Sequence, residues 1–215
     1  MIQLFLKYFH YFRVKTRLNR KANLLRIMRK NRCKSILEIG VYQGETAEGL
    51  ISEALRNFPH QDVRYVGIDL FKNLLTPAIA KTEASNTPLA KTHIENKLVS
   101  RFPNVSITLF EGFSKDVLPQ LIGYFDFIFI DGGHSYETVR EDVRMCKSLL
   151  SNNGVIVLDD YTNEKAEIYA NYGIRKLVKE LDLNFWHIRL GRFPDYFHKD
   201  WGILITRLVT LSRRI

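Results

Sequence analysis

Cysteine is scarce in this 215-residue chain, which holds Cys33 and Cys146 and no Cys-x-x-Cys pair. That usage excludes a zinc ribbon and a disulfide scaffold, and it is typical of a reducing compartment. No segment approaches the ~20 apolar residues that span a bilayer. The apolar start, Met1 to Phe12, is interrupted by Lys7 and lacks a small-residue cleavage site, so a signal peptide is not expected. These absences predict a cytoplasmic protein.

Acidic residues are absent from the first 37 positions, which hold eleven Lys and Arg residues. The remaining 178 positions hold 21 basic and 23 acidic residues, so the net charge of +9 comes from the first sixth of the chain. We predict a basic N-terminal helical arm over residues 1–34 and a second domain over residues 35–215. Because that domain is slightly acidic, the high pI does not support a nucleic-acid substrate.

Strands alternate with helices after the arm. The spacing of apolar residues predicts an amphipathic helix from Tyr136 to Leu150, ended by Asn153-Gly154. Strand-like apolar runs lie at 35–39, 63–68, 105–110, 125–130, 155–158, 185–190 and 201–209. This alternation predicts an α/β fold with a mainly parallel, doubly wound sheet.

Residues with chemical function follow the apolar runs, where ligands bind in open α/β sheets. Gly40 and Gly44 form a loop that is neither the G-x-G-x-x-G dinucleotide pattern nor a P-loop. Such a loop still brings backbone N–H groups to a ligand at a helix start, and Asp69 after the second run can accept hydrogen bonds from ribose hydroxyls. Together these residues indicate a nucleoside-bearing cofactor without a pyrophosphate. The alternative is that they are turn glycines and a helix cap.

Five segments together resemble the class I S-adenosylmethionine-dependent methyltransferases: ILEIGVYQGETAEGL, YVGIDLF, EGFSKDVL, FDFIFIDGGHSYETVREDV and GVIVLDDY. More narrowly, they resemble the metal-dependent O-methyltransferases of the catechol type and of the sugar-modifying type in macrolide pathways. The resemblance covers about residues 34–210. It implies a Rossmann-like sheet of seven strands with an antiparallel last strand, helices on both faces, and S-adenosyl-L-methionine as cofactor.

The resemblance also implies roles for single residues. Gly40 and Gly44 would line the methionine part of the cofactor, and Asp69 would hold its ribose. The segment from Gly112 through Phe113 to Ser114 would lie near the adenine. The other predicted cofactor contacts are Glu38, Tyr42, Thr46 and Asp131.

Three carboxylates are expected to converge after the fourth and fifth strands. If these strands are neighbours ~4.8 Å apart, Asp131 lies beside Asp159 and Asp160. Such a cluster needs a cation or protons, and oxygen ligands suit Mg²⁺, Mn²⁺ or Ca²⁺ better than zinc. The alternative is a helix cap at 159–160 and a simple turn at Asp131. The resemblance implies the same three ligands; the catechol type has Asp-Asn at 159–160, so this chain is nearer the sugar-modifying type.

His134, three residues after Asp131, is the predicted general base, because histidine titrates near neutrality. The catechol type has a lysine there, and sugar-modifying relatives can have histidine. The alternative is that His134 caps its helix or lines the cofactor. With Asp131 and His134 as catalytic residues, the sequence predicts O-methylation of a hydroxyl on a sugar, a glycan or another small molecule.

Two other functions compete with this prediction. A nucleic-acid or protein methyltransferase fits the basic pI, but amino-methylating enzymes carry an Asn/Asp-Pro-Pro-Tyr-type tetrapeptide where this chain has Asp131-Gly132-Gly133-His134. A non-catalytic module docking to a membrane or a partner would need decayed motifs, and all five strand-end motifs are intact.

The basic arm has two interpretations. Aromatic and aliphatic residues interleaved with Lys and Arg in residues 1–34 are typical of peripheral contact with an anionic membrane, which would suit a lipid-carried glycan acceptor. Alternatively, the arm covers the cofactor cleft or forms a homodimer contact, with its charges solvated. The second interpretation is favoured, and a homodimer is expected.

Overall fold

The computed structural model describes residues 20–59, 62–78, 88–162, 173–191 and 206–214. Its first helix, α1 (residues 20–31), packs against the sheet domain through Leu24 and Met28, which are buried in the core. None of the helices in these ranges is both long enough and apolar enough to cross a membrane. The division of the chain at residue 34 stays a prediction, and residues 1–19 of the arm lie outside the described residues.

Seven strands form one sheet in the order β3-β2-β1-β4-β5-β7-β6. The elements after α1 are β1 (Ser35–Ile39), α2 (Glu45–Asn57), β2 (Arg64–Asp69), α3 (Phe71–Leu74), α4 (Lys91–Arg101), β3 (Ser106–Glu111), α5 (Ser114–Val117), a 3₁₀ turn (Leu118–Gln120), β4 (Phe125–Ile130), α6 (Tyr136–Leu149), β5 (Leu150–Thr162), α7 (Ile174–Glu180), β6 (Trp186–Leu190) and β7 (Thr206–Arg213). β7 is antiparallel to both of its neighbours, and the other pairs are parallel. The predicted fold class is confirmed.

Both faces of the sheet are buried at β4, as its largely apolar sequence FDFIFI predicts for a central parallel strand. Successive side chains of a strand point to opposite faces. Accordingly, Ile128 and Ile130 join a core with residues of α6 and α7. Phe127 and Phe129 join a second core with residues of α1, α2 and α4. The sheet is therefore covered by helices on both sides, and its carboxyl edge is left for a site.

The sheet order reverses between β1 and β4, which is where open α/β folds bind ligands. Ile39, the last residue of β1, pairs with Ile68 on one side and Ile130 on the other. The hydrogen-bonding continues one residue further: the Gly40 N–H donates to the Ile68 carbonyl at 2.9 Å, and the Asp131 N–H donates to the Ile39 carbonyl at 2.8 Å. The loops that follow β1, β2 and β4 thus start at one level.

The predicted end of the amphipathic helix is wrong. α6 ends at Leu149, and Asn153-Gly154 lies inside β5. The register between β4 and β5 is irregular here, because Leu150 pairs with Phe125 and Val155 with Phe127. A side chain at Gly154 would lie 2.9 Å from the Phe125 carbonyl oxygen, so this glycine permits a close strand contact instead of a helix stop.

Candidate active site

The loop after β1 requires glycine at both predicted positions. Gly40 has φ +92°, and a Cβ there would lie 2.2 Å from the Asp131 carbonyl oxygen. Gly44 has φ +76° and precedes α2. Left-handed backbone is costly for most other residues. The two glycines therefore allow the chain to turn tightly beside β4 and to enter α2, whose first turn contains the half-buried Thr46.

Asp69, at the end of β2, holds this loop in place. Its Oδ2 accepts hydrogen bonds from the N–H groups of Val41 and Tyr42 at 2.7 and 2.8 Å, and its Oδ1 accepts from the Phe71 N–H at 2.8 Å. Tyr42 lies at φ +52° and is 41% exposed. A carboxylate oxygen accepts about two hydrogen bonds, so Oδ1 keeps one acceptor position for a ribose hydroxyl. Asp69 therefore shapes the glycine loop, and the predicted ribose contact would use the remaining acceptor position of Oδ1.

Glu38 lies beneath the loop and is fully buried. The Tyr65 hydroxyl donates to its Oε2 at 2.5 Å, and Oε1 has no hydrogen-bond partner among the described residues. Burial raises the pKa of Glu38 to about 8, although the Tyr65 hydrogen bond acts in the opposite direction. Burial therefore favours the protonated form of Glu38 over the form that an exposed glutamate would take. The sequence contained no signal for Tyr65, its partner.

The predicted adenine segment, Gly112 to Ser114, follows β3. Along the edge of the sheet, Asp69 lies between this segment and the acidic cluster. The Gly112 N–H donates to the Asp69 backbone carbonyl at 3.0 Å, so the ends of β2 and β3 are joined. Phe113 is 39% exposed, and Ser114 begins α5. The sheet thus orders the predicted contacts along one edge, from this segment through Asp69 and the glycine loop to Asp131. Their roles toward a ligand stay predictions.

Asp131, Asp159 and Asp160 converge where β4 and β5 end. Each offers a carboxylate oxygen, and these atoms all lie within 4.8 Å of one another. In a regular strand, adjacent side chains point to opposite faces. Here β5 bulges between Leu158 and Tyr161, and Asp160 adopts φ +56°. Such a bulge redirects a side chain, which explains how two successive aspartates reach one cluster.

Arg20 also reaches this cluster, a contact that the sequence did not predict. Its Nη2 donates to Asp131 Oδ2 at 2.6 Å and contacts Asp159 Oδ2. Burial raises the pKa of Asp131, and the charge of Arg20 opposes that rise. The sequence predicts that three converging carboxylates require a cation to balance their charge. The arm offers eleven basic residues, however, and nothing in their order identifies Arg20.

His134 follows Asp131 in the loop before α6. Its Nδ1 lies 3.3 Å from Asp160 Oδ2, and both side chains are about three-quarters buried or more. Ser135 then begins α6, since its Oγ accepts a hydrogen bond from the Thr138 N–H at 3.2 Å. The predicted alternative, in which His134 caps the helix, is wrong because Ser135 is the capping residue. A small cleft lined by Asp131, His134 and Asp160 among others joins these groups.

The acidic cluster fits a divalent cation by two observations. Its donors are three carboxylates, the ligand type that Mg²⁺, Mn²⁺ and Ca²⁺ prefer. In addition, Asp159 is 2% exposed, and its Oδ1 has no hydrogen-bond partner among the described residues. A buried carboxylate oxygen without a partner is costly, and a cation would satisfy it.

Residues 37–161, more than half of the chain, match the family described as a methyltransferase domain. The chain belongs to this family. It carries a methyltransferase domain, the family that the five motifs predicted. No curated protein sequence is similar enough to this methyltransferase to count as a match.

Solved structures share its fold at low sequence identity. The O-methyltransferase TomG from Streptomyces achromogenes, solved with S-adenosylmethionine, is 17% identical with a TM-score of 0.59, over 90% of this chain and 79% of TomG. An O-methyltransferase from Bacillus cereus is 16% identical with a TM-score of 0.58, over 90% and 80% of the two chains. A putative rRNA methylase from Clostridium thermocellum is 12% identical with a TM-score of 0.57, over 84% and 89%. At these identities the likeness concerns the fold alone.

Proposed function

We propose that this methyltransferase transfers a methyl group to a hydroxyl of a sugar, a glycan or another small molecule, with the help of a divalent cation. One observation carries the proposal: Asp131, Asp159, Asp160 and His134 meet beside the glycine loop, at the carboxyl edge of the sheet. An oxygen nucleophile needs to lose a proton, and this group of side chains can bind a cation and accept a proton at the same place.

The acidic cluster would hold Mg²⁺, with Mn²⁺ or Ca²⁺ as alternatives. Asp131, Asp159 and Asp160 are its protein ligands in this proposal. A bound divalent cation lowers the pKa of an acceptor hydroxyl and orients it. The Asp159-Asp160 pair, in place of the Asp-Asn of the catechol type, supports a sugar hydroxyl over a catechol.

His134 is the proposed base. With its proton on Nδ1, facing Asp160 Oδ2 at 3.3 Å, the imidazole carries its lone pair on Nε2. Nε2 then accepts the proton of the acceptor hydroxyl, and the Asp160 carboxylate stabilises the imidazolium that forms. Asp160 thus orients the base, because a carboxylate that accepts a hydrogen bond from one ring nitrogen of a histidine fixes which nitrogen is free to accept a proton.

The reaction is an in-line displacement at the donor methyl group. The new bond joins the acceptor oxygen to the methyl carbon, and the sulfur keeps the electron pair of the bond that breaks. S-Adenosylhomocysteine leaves, and the hydroxyl proton stays on His134. Because the sulfonium is already activated, the main task of the loop that Gly40, Gly44 and Asp69 shape is to align the donor.

The test is formation of S-adenosylhomocysteine from S-adenosylmethionine with a panel of monosaccharides, nucleotide sugars and catechols. Turnover with a sugar should stop on adding EDTA and return with Mg²⁺. His134→Gln should lower kcat by about 10²- to 10⁴-fold, while calorimetry shows unchanged binding of S-adenosylhomocysteine. The matched control, exposed His93→Gln on α4, should keep full activity. Full activity of His134→Gln, or turnover indifferent to EDTA, would contradict the proposal.

A further inference from the structure

One nitrogen atom of Arg20 contacts two of the three carboxylates of the proposed metal site, those of Asp131 and Asp159. Arg20 Nη2 donates to Asp131 Oδ2 at 2.6 Å and pairs with Asp159 Oδ2. Asp131 follows β4 and Asp159 lies in β5, whereas Arg20 belongs to α1. A cation held by these same two oxygens would lie between them. The guanidinium therefore lies where a bound metal would be expected.

A metal ion and the guanidinium exclude each other at this place. Oxygen ligands hold Mg²⁺ or Ca²⁺ at roughly 2.0–2.6 Å. An ion within that distance of Asp131 Oδ2 and Asp159 Oδ2 would be in contact with Arg20 Nη2. Both are positively charged and repel each other, and water screens this repulsion least beside Asp159, which is 2% exposed. One must leave when the other binds.

Arg20 neutralises the cluster incompletely. Three ionised carboxylates and one guanidinium leave two negative charges, whereas a divalent cation in its place would leave one. Asp159 Oδ1 also has no hydrogen-bond partner among the described residues. Arg20 is thus a weaker counter-ion than a divalent cation, and it is 27% exposed, so its side chain has a route to solvent.

The rest of α1 can stay in place when Arg20 leaves. Leu24 and Met28 are buried in the core. Arg29 binds the carboxylate of Glu53 through Nε at 2.6 Å and Nη2 at 2.9 Å. These contacts lie one to three turns after Arg20, so releasing one side chain at the beginning of the described helix does not detach the helix.

We propose that Arg20 and a divalent cation compete for Asp131 and Asp159. Arg20 is the counter-ion of the metal-free site, holds its carboxylates together, and is displaced when the metal binds. The inference rests on the metal site of the proposed function. The competition means that Arg20, a residue of the basic arm, sets the metal concentration at which the enzyme binds its metal.

The test measures Mn²⁺ binding to the full chain, freed of metal with a chelator, from the EPR signal of free Mn²⁺. Arg20→Gln removes the competitor and should bind Mn²⁺ about fivefold more tightly or better, since coupled sites typically differ by about 5- to 150-fold. The control is Arg26→Gln, an exposed arginine on the same helix, which should match the wild type. Mn²⁺ affinity equal to or weaker than that of the wild type in a folded Arg20→Gln protein overturns the inference and leaves the metal site standing.

A second measurement titrates the wild-type protein and uses variants only to assign one signal. The Nε–H signal of Arg20, assigned by its loss in Arg20→Gln or in Arg20→Lys, is followed by NMR as Mg²⁺ is added to the wild type. We expect it to shift and to saturate together with metal binding. An unmoved signal at saturating Mg²⁺ overturns the competition. If neither the wild type nor Arg20→Gln binds Mn²⁺, the inference and the metal part of the proposed function both fail, while methyl transfer itself is tested by the EDTA assay.

Discussion

Gly40 leaves no room for a methyl group. A Cβ would lie 2.2 Å from the Asp131 carbonyl oxygen, and the backbone has φ +92°. Gly40→Ala should lower the free energy of unfolding by about 3 kcal/mol, from left-handed strain and overpacking together. Urea unfolding measures this loss. Gly112→Ala is the control, because its Cβ would meet a Val117 methyl at 3.0 Å without left-handed backbone. Equal losses in both variants would contradict the assigned cause.

The buried acid Glu38 makes stability depend on pH. Its pKa is 4.5 in the unfolded chain and about 8 when folded, because burial disfavours the charged form. Between these values folding takes up one more proton at Glu38, so the contribution of Glu38 to stability is fully present below pH 4.5 and is lost as the pH rises toward 8. The steepest slope is about 1.4 kcal/mol per pH unit.

Glu38→Gln keeps an acceptor for the Tyr65 hydroxyl and cannot ionise. We expect its free energy of unfolding to vary less than that of the wild type between pH 5 and 8 (roughly the window set by the shift), and to exceed it at pH 8. Urea titrations at several pH values measure both quantities. Parallel pH profiles for the two proteins would show that Glu38 is ionised in the fold.

Helix α1 is held on the domain by a charged contact as well as by apolar burial. Glu53 is 2% exposed, and the hydrogen bond from Arg29 lowers its pKa. Arg29→Gln should lower the free energy of unfolding, because the buried Glu53 carboxylate loses the two hydrogen bonds that Arg29 donates. Exposed Arg26→Gln should change it by less than about 0.5 kcal/mol. Chemical denaturation compares them; the same stability for Arg29→Gln and the wild type would mean that the contact between Arg29 and Glu53 does not help to hold α1.

The sequence predicted best those helices and strands whose apolar side chains are buried in a core. β4 follows from FDFIFI alone, because each of its five apolar side chains enters one of two cores. The end of α6 failed because Asn153-Gly154 is also suited to a strand irregularity, and pairing with Phe125 decides between these conformations. Strand order then placed Asp131 beside Asp159. Arg20 could not be predicted, since which cation reaches the cluster depends on how α1 packs.

Ligand binding is a property of the whole molecule, because only the folded sheet brings the loops together. Saturation with S-adenosylhomocysteine at 100 times its Kd should stabilise the protein by about 2.7 kcal/mol, which thermal unfolding detects. NAD is a matched control, since it carries an adenosine but also a pyrophosphate, and the loop from Gly40 to Gly44 lacks the dinucleotide pattern. Equal stabilisation by NAD would contradict the predicted cofactor class.

The basic arm differs from the rest of the molecule in charge, and three cationic side chains of its described part contact the domain. Arg20 meets Asp131, Arg29 meets Glu53, and the Lys21 Nζ donates to the Glu45 carbonyl at 3.1 Å. These contacts hold the described part of the arm on the domain, and coverage of the cofactor cleft by the arm stays a prediction. The homodimer, the peripheral membrane contact through residues 1–34 and the cytoplasmic location stay predictions.

The position of β7 determines the order in which the sheet can be completed. β7 lies between β5 and β6, although both precede it in the chain. During synthesis on the ribosome, Trp186–Leu190 emerges before Thr206–Arg213, the strand to which it hydrogen-bonds. β6 must therefore wait without a partner, whereas the five strands from β3 to β5 that carry the candidate site can already pair. The part of the sheet that carries the site can form before its edge does.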